Sequence, residues 1–359
     1  MVGNGIRPKA STFAHLVRAL CNRRFLERGR KFLGELLDDS DMIVDSDLIT
    51  CTMNADDCFK RGNIVHAFKN WTAILQKNCK LDVVAFNVLL SGLCSVGEMQ
   101  IAYGYLCRMM KVGLFPDIFT FNSFLSGLCK ARKFDDACHL IEAMLLNGVL
   151  PDSISYKLII QGLCICGDAF MANVFLTRML DNSMIPALQV WNLVIDCYGR
   201  KGHLSKALSV RDQLLSFGLE PNVYTYNALI HSHVVAGNLV ESIALKCAMI
   251  SFGIFPDTVT YNLLIGAACN EGNVSLAINL CVEMKENGWE PDVITYTELI
   301  RGHCLLGHIK EVEVYLAKIL IYGLKPDHVP FQILIKSYCR LGESDLAFKL
   351  YEKWFNWNR

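Results

Sequence analysis

Seven prolines, Pro116, Pro151, Pro186, Pro221, Pro256, Pro291 and Pro326, follow one another at intervals of 35 residues. A period this constant marks a tandem array in which each period is one supersecondary element that cannot bury its apolar face alone. With the proline set as position 34, regular repeats start at Leu48, Val83, Ile118, Ser153, Leu188, Val223, Thr258, Val293 and His328, the last cut short at Arg359.

Within a repeat, apolar residues fall at positions 4, 7, 8, 11 and 12, as in Tyr261, Leu264, Ile265, Ala268 and Cys269, the stripe of an amphipathic helix A. Position 15 is glycine in eight of nine repeats, where the positive φ of a helix C-cap costs least, and Arg132 is the exception. A second stripe at positions 20, 23, 24 and 27, as in Ala277, Leu280, Cys281 and Met284, predicts helix B, with a small residue at 20 for close approach. Helix B stops near a Gly-x-x-Pro-Asp sequence such as Gly113–Asp117, where glycine ends one helix and aspartate can cap the next. The expected fold is all-α: a right-handed superhelical solenoid of about ten tandem helix-turn-helix repeats with a concave groove.

Residues 10–47 read as an irregular repeat, with Thr12, Phe13, Leu20 and Cys21 in phase, and Leu37–Asp47, with five aspartates and no apolar period, predicts an exposed acidic loop. Residues 1–9 resemble the closing turn of an incomplete repeat, eight regular repeats fill 48–327, and 328–359 form a truncated terminal repeat. The basic residues between Arg7 and Lys31 are in phase with the repeat, so no clear transit peptide is identified.

Apolar residues make up 52% of the chain and charged residues 19%, enough for a continuous core and too apolar for disorder. Lys plus Arg equals Asp plus Glu, which argues against nucleic-acid binding driven by bulk electrostatics. No apolar run is long enough for a membrane span. Sixteen cysteines in an array that buries its own core predict free thiols in a reducing compartment, and Cys21, Cys94, Cys129, Cys164, Cys269, Cys304 and Cys339 share position 12, a predicted buried site. His231-Ser-His233 and Cys164-Ile-Cys166 lack partner pairs at zinc spacing, and Asp56-Asp57 and Asp135-Asp136 read as solvated helix charge. Neither a phosphate-cradling glycine loop nor a nucleophile elbow is present, so neither catalysis nor a cofactor or metal is expected.

The segments Thr-Tyr-Asn at 225–227 and 260–262, Ser-Gly-Leu-Cys at 91–94 and 126–129, and the Pro-Asp closures closely resemble the pentatricopeptide repeat family over nearly the whole chain. The tetratricopeptide repeat differs in its period of 34 and in helix A marks that are missing here. The resemblance implies a P-class member, without a carboxy-terminal editing or deaminase extension, that binds single-stranded RNA one base per repeat. It further implies a monomer in a plant organelle, the mitochondrion in preference to the chloroplast, with other organellar RNA-processing factors as partners.

In that family positions 5 and 35 read the base edge and position 2 packs against the base face. Carried onto this sequence, the base-reading pairs are Thr52 with Asp82, Asn87 with Asp117, Asn122 with Asp152, Asn192 with Asn222, Asn227 with Asp257, Asn262 with Asp292, and Thr297 with Asp327. By family analogy they spell 5′-GUUxCUUG-3′, where x belongs to Lys157 with Ala187, which match no clear rule. The base-stacking residues are Ile49, Val84, Phe119, Ile154, Tyr224, Val259, Ile294 and Val329, with Gln189 the polar exception. A purely structural reading stands beside this one, in which Asn at position 5 is a helix-start residue and Asp at 35 only a cap. The other functional classes are a helical protein-binding scaffold and a partial gene product with impaired RNA binding.

Overall fold

The computed structural model describes residues 43–76, 81–326 and 328–357. Among them lie eighteen α-helices and no strand, arranged as nine A–B hairpins. These are α1 (Ile43–Lys60) with α2 (Ile64–Gln76), α3 (Val83–Ser95) with α4 (Met99–Lys111), α5 (Ile118–Lys130) with α6 (Phe134–Leu146), and α7 (Ser153–Cys166) with α8 (Ala169–Asp181). They continue as α9 (Leu188–Arg200) with α10 (Leu204–Ser216), α11 (Val223–Val235) with α12 (Leu239–Ser251), and α13 (Thr258–Asn270) with α14 (Val274–Glu286). The last two are α15 (Val293–Leu305) with α16 (Ile309–Ile321), and α17 (Val329–Arg340) with α18 (Ser344–Trp357).

The chain divides into two compact bodies, Met1–Gly162 and Leu163–Arg359. In the first, α1, α3 and α5 each pack against their own B helix, and α3 packs on both α1 and α5. In the second, α9, α11, α13, α15 and α17 form the same kind of row, each beside its own B helix and the A helix of an adjoining repeat. Each body is therefore a helical solenoid whose main contacts, among the described residues, run within a repeat and between neighbouring repeats.

The two apolar stripes make the core. Tyr261, Leu264, Ile265, Ala268 and Cys269 of α13 are fully buried, as are Ala277 and Met284 of α14. Alanine recurs at position 20 as Ala67, Ala102, Ala137, Ala172, Ala207 and Ala277, none of them accessible, so helix B lies close against its neighbours. The turns are built from hydrogen bonds of the Schellman type: at the end of α4, Gly113 donates to Met110 and Leu114 to Met109, with Gly113 at φ +80°. Arg132 holds the equivalent left-handed turn after α5 at φ +58° despite its side chain, and Ser183 does so after α8 at +57°.

Two sequence expectations need correction. Residues 43–47, the end of the expected acidic loop, lie within helix α1 (Ile43–Lys60). The rest of that loop, the irregular repeat and the closing turn before it lie outside the described residues. Position 12 is not uniformly buried either: Cys94, Cys164 and Cys269 are, Cys129 and Cys304 are partly covered, and Cys339 is exposed. Position 10 of the following helix A meets this site where it is glycine, as Gly302 meets Cys269 and Gly162 meets Cys129. All fourteen cysteines among the described residues are free thiols, and no described helix is long and apolar enough to cross a membrane.

Candidate nucleic-acid interface

Position 35 is the N-cap of the next repeat's helix A. Asp82, Asp117, Asn222, Asp257 and Asp292 adopt extended backbone, and their side chains accept from the backbone N–H three residues on, satisfying one of the orphan donors of the helix. At Asp117, Asn222, Asp257 and Asp292 the cap is reciprocal, since a threonine three residues later accepts from the cap's own N–H. The structural reading of position 35 is thus correct as far as it goes.

Position 5 does something else. It lies inside helix A, away from any helix end, and its amide reaches across to the cap of the next repeat. Asn87 Nδ2 donates to Asp117 Oδ1 over 2.9 Å, Asn122 to Asp152 over 3.3 Å, Asn192 to Asn222 over 3.2 Å, Asn227 to Asp257 over 3.0 Å, and Asn262 to Asp292 over 3.1 Å. Five of the pairs named from sequence are therefore in direct contact.

The amide oxygen at position 5 has a partner as well. It accepts from a hydroxyl at position 3 of the following repeat: Thr120 bonds Asn87, Ser155 bonds Asn122, Thr225 bonds Asn192, Thr260 bonds Asn227 and Thr295 bonds Asn262, over 2.5–2.8 Å. These hydroxyls are not among the site residues named from the sequence. Their co-occurrence with asparagine one repeat earlier was the available signal.

At Asp117, Asp257 and Asp292 the contacts converge on Oδ1: the capped N–H and the position 5 amide donate to it, and the position 3 hydroxyl oxygen lies 2.9–3.0 Å away. Oδ2 takes part in none of them. At Asn222 the same three partners fall on Oδ1, which leaves Nδ2 outside the network. Burial pushes the Asp152 carboxyl up, but hydrogen bonds from Ser155, Asn122 and the backbone of Ile154 outweigh it and hold the group below the ordinary carboxylate value. The cap at this junction is therefore ionised at neutral pH.

Beside these junctions, position 2 carries apolar side chains that the fold does not bury. Val84, Phe119, Ile154, Tyr224, Val259 and Ile294 are 53–72% exposed. Val329 is half-buried and Gln189 exposed, while the side chain of Ile49 lies outside the described residues. A residue one position along, such as Thr120 or Thr260, is buried, so the exposure belongs to position 2 and not to the start of the helix generally.

The other pairs differ. Thr52 is buried in α1 and Asp82 is exposed at the cap of α3, where it accepts from Ala85 N at 2.8 Å. Thr297 is buried and its hydroxyl donates to Val293 O in its own helix, and Asp327 lies outside the described residues. Lys157 is exposed on α7, and Ala187 caps α9 with backbone alone. Elsewhere, Asp56 and Asp57 pair with Lys60 and Arg61 one turn on, and Asp135 and Asp136 occupy the first turn of α6. Among the described residues no cluster of three or more His, Cys, Asp or Glu side chains has a geometry that would hold a metal ion.

A profile of the PPR repeat family matches residues 81–130, 116–165, 186–235 and 256–305, and profiles of the PPR repeat match 224–254, 294–324 and 322–354. No curated protein matches the chain at a significant level. Among solved structures, the pentatricopeptide repeat protein PPR10 in complex with an 18-nt psaJ RNA element matches with a TM-score of 0.66 and 21% identity, over 98% of this chain and 56% of that one. PPR10 from maize matches with a TM-score of 0.57 and 20% identity, over 98% and 59% of the two chains. The chain thus spans well under two thirds of the length of these solved chains, and at this identity the likeness concerns the fold. With the 35-residue period, the paired helices and the family profiles all in agreement, the chain belongs to the PPR repeat family.

Proposed function

We propose that this chain binds single-stranded RNA sequence-selectively, one base per repeat, through positions 5 and 35 with the base face packed on position 2. The observation that carries this reading is the fivefold recurrence of an asparagine amide fixed against the cap of the next helix, beside an apolar residue left in solvent. An unburied apolar row at constant spacing contributes little to folding, whereas base stacking on such a surface contributes ~1–3 kcal/mol per base for aromatic side chains. PPR10, of the same fold, is held in complex with an RNA element.

The chemistry of the cap separates the two pyrimidines. Where position 35 is Asp, the oxygen outside the network is an acceptor, which suits uracil, whose N3 carries a hydrogen. Where it is Asn222, the free group is an NH₂ donor, which suits cytosine, whose N3 is an acceptor. The site is then 5′-GUUxCUUG-3′, with guanine under Thr52–Asp82 and Thr297–Asp327 assigned by family resemblance. The chain acts as a monomeric P-class binder without catalysis of its own, in an organelle, the mitochondrion in preference to the chloroplast. There, with other RNA-processing factors, it governs RNA stability, splicing, processing or translation by occupying its site.

The test is fluorescence anisotropy with labelled GUUNCUUG, with the same RNA carrying A in place of each U, and with duplex RNA. A preference of tenfold or more for the first, ~1.4 kcal/mol, supports base reading. Equal weak binding to all three rejects it and leaves a protein-binding scaffold or an inactive fragment.

A further inference from the structure

We propose that the position 3 hydroxyls of Thr120, Ser155, Thr225, Thr260 and Thr295 are positioning residues for the preceding repeat, each fixing the orientation of the asparagine amide at position 5. The inference rests on the base-reading proposal above and adds to it a third residue, contributed by the next repeat along the chain.

A hydroxyl has one proton. Thr260 Oγ1 accepts from Asp257 N–H at 3.2 Å and lies 2.6 Å from Asn227 Oδ1 and 3.0 Å from Asp257 Oδ1. The shorter contact takes the proton, so Asn227 presents its oxygen to Thr260. Its Nδ2 is then turned to the Asp257 carboxylate, which can only accept. A flipped amide would set its oxygen against that carboxylate, and the hydroxyl supplies the second anchor that holds the ring of contacts closed. One Nδ2 hydrogen is consumed by Asp257, and the other is held in a fixed direction for a base.

Comparison of the repeats with one another separates this role from capping. The five repeats with Asn at position 5 are each followed by Thr or Ser at position 3, and the three with Thr52, Lys157 or Thr297 are followed by Ala85, Val190 and Pro330. Asp82 caps α3 through Ala85 N–H with no hydroxyl at that site, so an aspartate cap does not require one. The hydroxyl accompanies the asparagine, not the cap.

The test uses Thr260→Val, which keeps the β-branched shape of a fully buried side chain, and Thr260→Ser, which keeps the hydroxyl. Binding is measured on GUUNCUUG and on versions with the second or the sixth nucleotide changed. In Thr260→Val the preference for U at the sixth nucleotide, read by Asn227 and Asp257, falls to threefold or less while that at the second is unchanged, and Thr260→Ser retains both. A loss spread evenly over all RNAs, or a full preference kept at the sixth nucleotide, overturns the proposal. A readout without RNA separates it from base reading itself. The Asn227 side-chain NH₂ resonances, followed by NMR, exchange faster with solvent in Thr260→Val than in the unsubstituted chain. Unchanged exchange overturns the positioning role, whereas faster exchange in a chain without base preference rejects base reading alone.

Discussion

Asn227 and Asp257, thirty residues apart in sequence, meet across 3.0 Å, and the Asp257 oxygen that accepts from the amide is the same one that caps α13. One carboxylate oxygen thus closes a helix and anchors a neighbour's side chain, while the other stays outside both tasks. Exchanging Asp257 for Asn keeps the capping oxygen and turns the outer group from acceptor to donor. The expected result is a switch of about tenfold from U to C at the sixth nucleotide, with a melting temperature close to that of the unsubstituted chain, because Asn and Asp cap equally well. Anisotropy with the two RNAs and a thermal melt check both halves.

Close approach of successive A helices predicts a second outcome. A Cβ at Gly302 would lie 2.6 Å from Cys269 Sγ, 2.9 Å from its Cβ and 3.3 Å from its Cα, and the last of these cannot move without the backbone. Gly302→Ala should destabilise the chain by about 1–3 kcal/mol. Urea unfolding gives the number, and a midpoint equal to that of the unsubstituted chain would mean the helices can separate at no cost.

Left-handed turns occupied by a side chain point the other way. Arg132 at φ +58° stands where other repeats carry glycine. Arg132→Gly should therefore stabilise by about 0.5–1 kcal/mol, the strain relieved exceeding the extra entropy of the unfolded chain. A lowered unfolding midpoint would show that the arginine contributes more through contacts than the turn loses through strain.

His303 is buried on α15, and neither ring nitrogen has a hydrogen-bond partner. Burial, with a smaller contribution from His308, depresses its pKa below 6.5. The unfolded chain therefore binds the proton more readily. The stability this neutral ring contributes is present above pH 6.5 and is lost as the pH falls from there through the lower folded value. His303→Leu should flatten the fall in stability between pH 7 and 5, measured by denaturant unfolding at each pH, and an unchanged slope would assign the acid sensitivity elsewhere.

A formal charge of zero bears on how affinity responds to salt. Each phosphate neutralised on single-stranded RNA adds about 0.7 to the log–log slope. Binding dominated by stacking and base edges should show a slope shallower than about −2 between 50 and 200 mM salt, whereas a slope several times steeper would return the main role to phosphate contacts.

The repeat, both helices and nearly every turn are legible in the amino-acid order, because each depends on contacts within about 35 residues that recur seven times or more: Pro and Gly at fixed offsets, alanine at position 20, apolar stripes of helical period. Local chemistry repeated that often leaves little freedom. The sequence missed that residues 43–47 are helical and that Cys339 is exposed, since neither an acidic run nor an apolar repeat position states what packs around it. It named the pairs at positions 5 and 35 only through family resemblance. The tertiary structure alone decided that Asn87, Asn122, Asn192, Asn227 and Asn262 are tied to both the cap and the position 3 hydroxyl of the next repeat. Those partners lie 30 and 33 residues away, and only the stacking of one hairpin on the next brings them within hydrogen-bond reach.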